Sequence, residues 1–142
     1  LVPAASLDLT KEGLGLAICD SSGTLTFRKP LQGFALPRFG AACPLWTLYQ
    51  ALSRPLIALR EVAELNTRDI AQFETLAFAT PVTRPQFGAV PLLEAHMLIL
   101  PLTKTETTSE RSAPRPIGTS CRICPRIDCP GRREPSILAS GL

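Results

Sequence analysis

The sequence has one histidine, one tryptophan, one tyrosine and one methionine. A lone histidine, His96, on an apolar stretch reads as a satisfied core residue rather than a base or a metal ligand. Nothing else supplies the convergent carboxylates or the nucleophile–base pair of a catalytic site, so an enzyme is not expected. No run approaches the ~20 apolar residues of a membrane span. The apolar start, Leu1 to Ser6, lacks the basic flank and long apolar stretch of a secretory signal, so a cytoplasmic location is expected. Helix-turn-helix, Rossmann and P-loop patterns are all missing. What remains is a binding or regulatory domain.

The 142 residues, 45% of them apolar, suffice for one domain with its own core. Fourteen prolines predict few long regular elements. The start at Leu1-Val2-Pro3, without methionine, suggests a piece of a longer polypeptide. Five cysteines, an odd number in a chain without a secretory signal, point to metal binding before disulfides. Three of them, Cys121, Cys124 and Cys129, form a C-x2-C-x4-C run, and Cys43 is the candidate fourth donor. Four thiolates complete either a tetrahedral zinc site or a cubane [4Fe–4S] cluster. Cys43, Cys124 and Cys129 each precede a proline, as at the end of a ferredoxin-type run, which favours the cluster over zinc, disulfides or free thiols. From Arg111 to Arg133 the chain carries six arginines against one aspartate, suited to a negatively charged centre, to an anionic ligand, or simply to solvent.

Leu14–Cys19 and Thr24–Phe27 read as a hairpin across the turn Asp20-Ser21-Ser22-Gly23. Pro44 suits a first helical turn, Leu45, Leu48, Tyr49 and Leu52 share a face, and Arg54-Pro55 ends the helix. Cys43 is then expected at a helix N-terminus, where the dipole lowers a thiol pKa. Trp46 and Tyr49 read as core aromatics, with shielding of a cluster from solvent as the alternative. Strands are expected over Leu56–Leu65, Phe73–Val82, Gln86–Val90 and His96–Leu102, with a helical turn over Pro91–Ala95. Ile57, Leu59, Glu61 and Ala63 share one side of the first of these. The expected fold class is α+β: a mixed, mainly antiparallel sheet of about five or six strands with few helices and a C-terminal cysteine loop. Residues 1–103 form the core, 104–116 an exposed mobile linker, and 117–142 a cysteine loop and tail packed back on the core. Arg38, Arg54 and Arg84 are candidate phosphate contacts, against a surface-only reading.

Pro37-Arg38-Phe39-Gly40 followed by Cys43-Pro44-Leu45-Trp46, then Pro116-Ile117-Gly118, Cys121-Arg122, Cys124, Arg126, Asp128-Cys129-Pro130 and Arg132, resemble the C-terminal sensor domain of the short-chain fatty acyl transcriptional regulators. That family includes bacterial regulators of propionate, methylcitrate and glyoxylate metabolism. The resemblance covers about Leu14 to Pro135. It implies an acyl-CoA-binding domain carrying an iron–sulfur cluster on Cys43, Cys121, Cys124 and Cys129. It also implies DNA binding through a helix-turn-helix domain outside this chain, and a homo-oligomer is expected. Arg38, Trp46, Arg54 and Arg84 are the candidate ligand contacts. Cys19 matches no motif position and reads as a buried strand residue. A zinc-stapled protein-interaction domain is the alternative. After the last Cys-Pro the chain departs from the family, with Gly131-Arg132-Arg133-Glu134-Pro135 where an aromatic is usual.

Overall fold

Apolar and small side chains alternate along the middle of the chain, and the strands they form carry the molecule. The computed structural model describes residues 13–38, 42–66, 70–84, 86–102, 114–121, 124, 129–132 and 137. In chain order these give β1 (Gly15–Cys19), β2 (Leu25–Lys29), α1 (Thr47–Ser53), β3 (Leu59–Asn66), β4 (Ile70–Pro81), β5 (Leu93–Pro101) and β6 (Arg115–Ile117). The sheet runs β2-β1-β5-β4-β3-β6, antiparallel throughout except for the parallel pair β3–β6. This is the α+β fold expected: one helix on a six-stranded, mainly antiparallel sheet.

The first turn closes on Asp20. Its carboxylate accepts from the N–H groups of Ser22 and Thr24, and from the Ser22 hydroxyl. Gly23 takes φ 88°, the left-handed conformation that glycine adopts without steric cost. Its carbonyl accepts the Tyr49 hydroxyl, tying the hairpin to α1.

In β5 the alternation is direct: Ala95, Met97 and Ile99 are buried, while His96, Leu98 and Leu100 stand on the opposite face. The buried face carries small residues where α1 crosses. Ala79 pairs with Ala95, Ala77 with Met97, and β1 adds Ala17 and Cys19. Small side chains there let the helix approach closely, and Leu48 and Ala51 close the gap from above. Phe34 and Trp46 fill one side of this core, with ring centroids 5.5 Å apart, and Phe73 meets Phe34 edge-on at 5.2 Å. Each fully buried large apolar side chain contributes about 1.5–3 kcal/mol. Where α1 meets the sheet, the Thr47 and Thr75 hydroxyls lie 2.6 Å apart, and Thr75 donates to the Glu61 carbonyl, so no buried hydroxyl there lacks a partner.

Several expectations are corrected. Gln86–Val90 is not a strand: Ala89 N–H closes a turn onto Gln86 and Gly88 takes φ 81°, so the segment is the β4–β5 connection. Pro91–Ala95 contains no helical turn, because β5 already begins at Leu93. The helix starts at Thr47 rather than Pro44, after a turn over residues 44–46. Ile57 is 54% exposed and precedes β3 instead of sharing its buried face. His96 is not a core residue: it stands half-exposed on the outer face, 3.1 Å from Glu94. Residues 104–113 of the expected linker lie outside the described residues, while Arg115 and Pro116, counted in that linker, begin β6. Cys19 is the buried strand residue expected.

Candidate functional site

β6 determines where the cysteines come together. Its parallel pairing sets Ala63 beside Arg115 and Leu65 beside Ile117, and Arg115 reinforces it with a 3.0 Å ion pair to Glu61. The chain therefore leaves Ile117 past the Asn66 end of β3, and Gly118 enters the turn that leads into α1. There the Cys43 N–H donates to the Thr119 carbonyl at 3.0 Å. The Gly118 N–H donates to Cys43 Sγ at 3.4 Å, and the Gly118 carbonyl accepts the Trp46 indole N–H at 2.7 Å. A Cβ on Gly118 would stand 3.2 Å from Cys124 Sγ. One glycine thus has the early sulfur on its amide and a late sulfur against its α-carbon.

Cys121 is buried, and Cys124 and Cys129 are half-buried. The Cys124 N–H donates to the Cys121 carbonyl at 3.3 Å, closing the turn of the C-x2-C pair. Burial pushes the Cys43 thiol up, the Cys121 and Cys129 sulfurs nearby push the same way, and the N–H groups of Gly118 and Leu45 act against them. The expected helix-dipole effect is therefore not what governs Cys43, which precedes α1 by a full turn of chain. None of the five cysteines is in a disulfide. Among the described residues no three His, Cys, Asp or Glu side chains converge as closely as a single metal ion requires. Gly131 packs on the Pro44 and Leu45 side chains, and a Cβ there would meet Leu45 at 3.3 Å.

The candidate ligand contacts do not all lie together: Trp46 sits at the cysteine junction, its indole N–H on Gly118, while Arg54 and Arg84 lie elsewhere. Trp46 is fully buried, as its core reading requires, and offers no surface to a ligand. Arg38 is exposed after Pro37, whose carbonyl accepts Arg28 from the edge strand β2. Arg54 and Arg84, both exposed, flank the opposite end of the sheet from the cysteines. Arg54 caps the C-terminus of α1, the Leu56 N–H then reaches the Ala79 carbonyl near the end of β4, and Arg84 follows β4. Arg84 lines a cleft of about 100 Å³ with Ala89, Val90 and Leu92. Leu56, Ile57, Val82, Phe87, Val90 and Leu92 are all exposed apolar residues of this end, and Leu56 is held at φ 69°. Sequence reasoning included Gly118 and Arg132 in its motif but gave neither a role; a glycine just ahead of a cysteine run was the available signal.

Among the described residues this cysteine junction closes the edge of an α+β sheet that carries a single helix. The chain belongs to the family described as "Short-chain fatty acyl coenzyme A regulator, C-terminal", which matches residues 11–140. It is 33% identical over 127 residues to the propionyl-CoA carboxylase regulator of Cereibacter sphaeroides, covering 83% of this chain and 26% of that protein. It is 26% identical over 128 residues to the HTH-type transcriptional regulator RamB of Mycobacterium tuberculosis, covering 83% and 27%. The chain thus spans about a quarter of the length of these curated relatives, both of them named as regulators. A solved Mycobacterium tuberculosis transcriptional regulator shares the fold with TM-score 0.68 at 24% identity, over 89% of this chain and 40% of that one.

Proposed function

We propose that this chain is the acyl-CoA-sensing domain of a bacterial transcription regulator. It carries a four-thiolate iron–sulfur centre and acts on a DNA-binding region beyond this chain. The observation that supports it most is the meeting at Gly118. Cys43 and Cys124 contact the same glycine although they lie far apart in sequence, and Cys121 and Cys129 lie close enough to Cys43 to raise its pKa. Four thiols near one another offer the donor set of a cubane cluster, in which each thiolate binds its own iron, or of one zinc ion, and the Cys-Pro steps at Cys43, Cys124 and Cys129 favour the cluster. Cys43, Cys121, Cys124 and Cys129 would hold it, and its oxidation state would supply a charge that redox conditions change. Gly118 N–H donates to one sulfur, and Trp46 keeps one side of the junction dry.

The acyl-CoA reading rests on the family and on the arginine-flanked apolar end. Guanidinium forks bind phosphates, and the exposed Leu56, Ile57, Val90 and Leu92 would cover an acyl chain. Leu56, a non-glycine residue in the left-handed region, is the kind of strained position found beside binding sites. Ligand and cluster state each favour one arrangement of the domain, and that preference biases the DNA-binding region by linkage. A homo-oligomer in the cytoplasm accords with this role; among the described residues no helix is long and apolar enough to cross a membrane. The test is anaerobic purification with iron, sulfide and zinc analysis, followed by calorimetry against a panel of acyl-CoAs. Four iron and four sulfide per chain are expected, with affinity highest for a short acyl chain. One zinc without a brown chromophore and no acyl-CoA heat would overturn the reading in favour of a zinc-stapled interaction domain.

A further inference from the structure

Residues 122, 123 and 125–128 of the cysteine loop lie outside the described residues, yet the three cysteines themselves share a common anchor. Arg132 Nη1 donates to the Cys121 carbonyl at 3.1 Å, and its Nη2 donates to the Cys124 carbonyl at 3.1 Å. The Arg132 backbone N–H donates to the Cys129 carbonyl at 3.2 Å. One residue therefore holds the main chain on which all three late sulfurs are mounted. Gly131 beside it rests on Pro44 and Leu45, so the anchor is seated against the segment that carries Cys43.

We propose that Arg132 is the positioning residue of the thiol centre. Its guanidinium is a fork that holds the C-x2-C turn in its ligating shape before any metal arrives. Two properties of arginine suit it to this task. The guanidinium stays charged at any pH the fold survives, and it is planar, so two N–H groups reach two carbonyls at once. A lysine ammonium would keep the charge but lose the fork. The fixed positive charge also stands behind sulfurs that become anionic when they ligate. That second benefit rests on the four-thiolate reading above, whereas the clamp on the carbonyls does not.

The test separates the two. In reduced, metal-free protein, cysteine alkylation is followed site by site by mass spectrometry. Cys121 is buried behind the clamp, and Cys19, fully buried on the sheet, reports global unfolding. Replacing Arg132 by Lys removes the fork and leaves the charge. Cys121 alkylation is expected to accelerate about tenfold, as loss of charge-assisted bonds predicts, with Cys19 still protected. Arg132→Met should do the same. Unchanged Cys121 reactivity in Arg132→Lys overturns the proposal, because charge alone would then suffice. Simultaneous exposure of Cys19 in both variants also overturns it, because a local clamp does not hold the sheet. In a second arm the proteins are reconstituted anaerobically with ferrous iron and sulfide and challenged with a chelator. Arg132→Lys should release iron about tenfold faster than wild type, and equal release removes the link between clamp and centre. If wild type itself takes up no iron, the cofactor reading fails while the alkylation comparison still decides the clamp.

Discussion

Gly118 has a sulfur on each side of it, and no other residue type fits there without displacing one. A Cβ 3.2 Å from Cys124 Sγ is closer than carbon and sulfur pack comfortably. Gly118→Ala is therefore expected to cost about 1–3 kcal/mol and to impair iron uptake; denaturant melts and iron analysis check the two effects. Cys43→Ser should abolish cluster assembly as fully as Cys124→Ser, while Cys19→Ser leaves the chromophore intact. A dispensable Cys43 with an essential Cys19 would reverse the ligand assignment. Cys19 itself carries a pH prediction. Burial pushes its thiol up to about 11, with Asp20 and Glu94 adding repulsion and an Ala95 backbone hydrogen bond opposing. The buried neutral form is favoured, so its contribution is fully present below the ordinary thiol pKa of 9.0 and is lost as pH rises toward 11. Cys19→Ala should flatten the fall in stability between those values relative to wild type, as read by urea melts at pH 8 and above.

At the scale of elements, β6 is the piece that no local pattern announced. Three residues beginning Arg115-Pro116 look like the end of a proline-rich linker, and proline is tolerated only where its missing N–H faces no partner. The strand exists because β3 presents an open edge and Glu61 awaits Arg115. That ion pair is partly exposed, so Arg115→Ala should cost no more than about 1 kcal/mol in stability. Trp46→Phe acts differently. It keeps most of the aromatic packing but leaves the Gly118 carbonyl without its 2.7 Å donor. The expected loss is about 1–3 kcal/mol, together with faster alkylation of Cys43, read by melting and mass spectrometry. The Gln86–Val90 segment failed as a strand for the converse reason: β4 and β5 already pair with each other from Pro81 and Leu93 inward, leaving the residues between them to make the turn.

Across the whole molecule, the thiol junction and the arginine-flanked apolar end lie at opposite ends of β3, about 23 Å apart for eight extended residues. α1 runs along part of this interval, about 10 Å for its seven residues, beginning just after the Cys43 turn and ending at Arg54. It packs on β3, β4 and β5 across small alanines. If the proposed linkage operates through α1, Arg54→Ala and Arg84→Ala should each weaken acyl-CoA binding about tenfold without changing iron content. Loss of the cluster should change acyl-CoA affinity by the same factor by which acyl-CoA changes cluster stability. Calorimetry on loaded and metal-free protein measures both.

The residues alone determined the α+β class, the hairpin around Asp20 and the burial of Cys19 and Trp46, and they nominated Cys43 with Cys121, Cys124 and Cys129 as one set. These depend on alternation, turn chemistry and ligand spacing, which are local or countable properties of the chain. Only the tertiary structure decided that β6 exists, that His96 faces outward, that Gly118 lies between two sulfurs, and that Arg132 holds the loop carrying three of them. Each of these depends on what a distant segment offers, an unpaired strand edge, a free carbonyl or an adjacent sulfur, and such partners appear only once the sheet has closed.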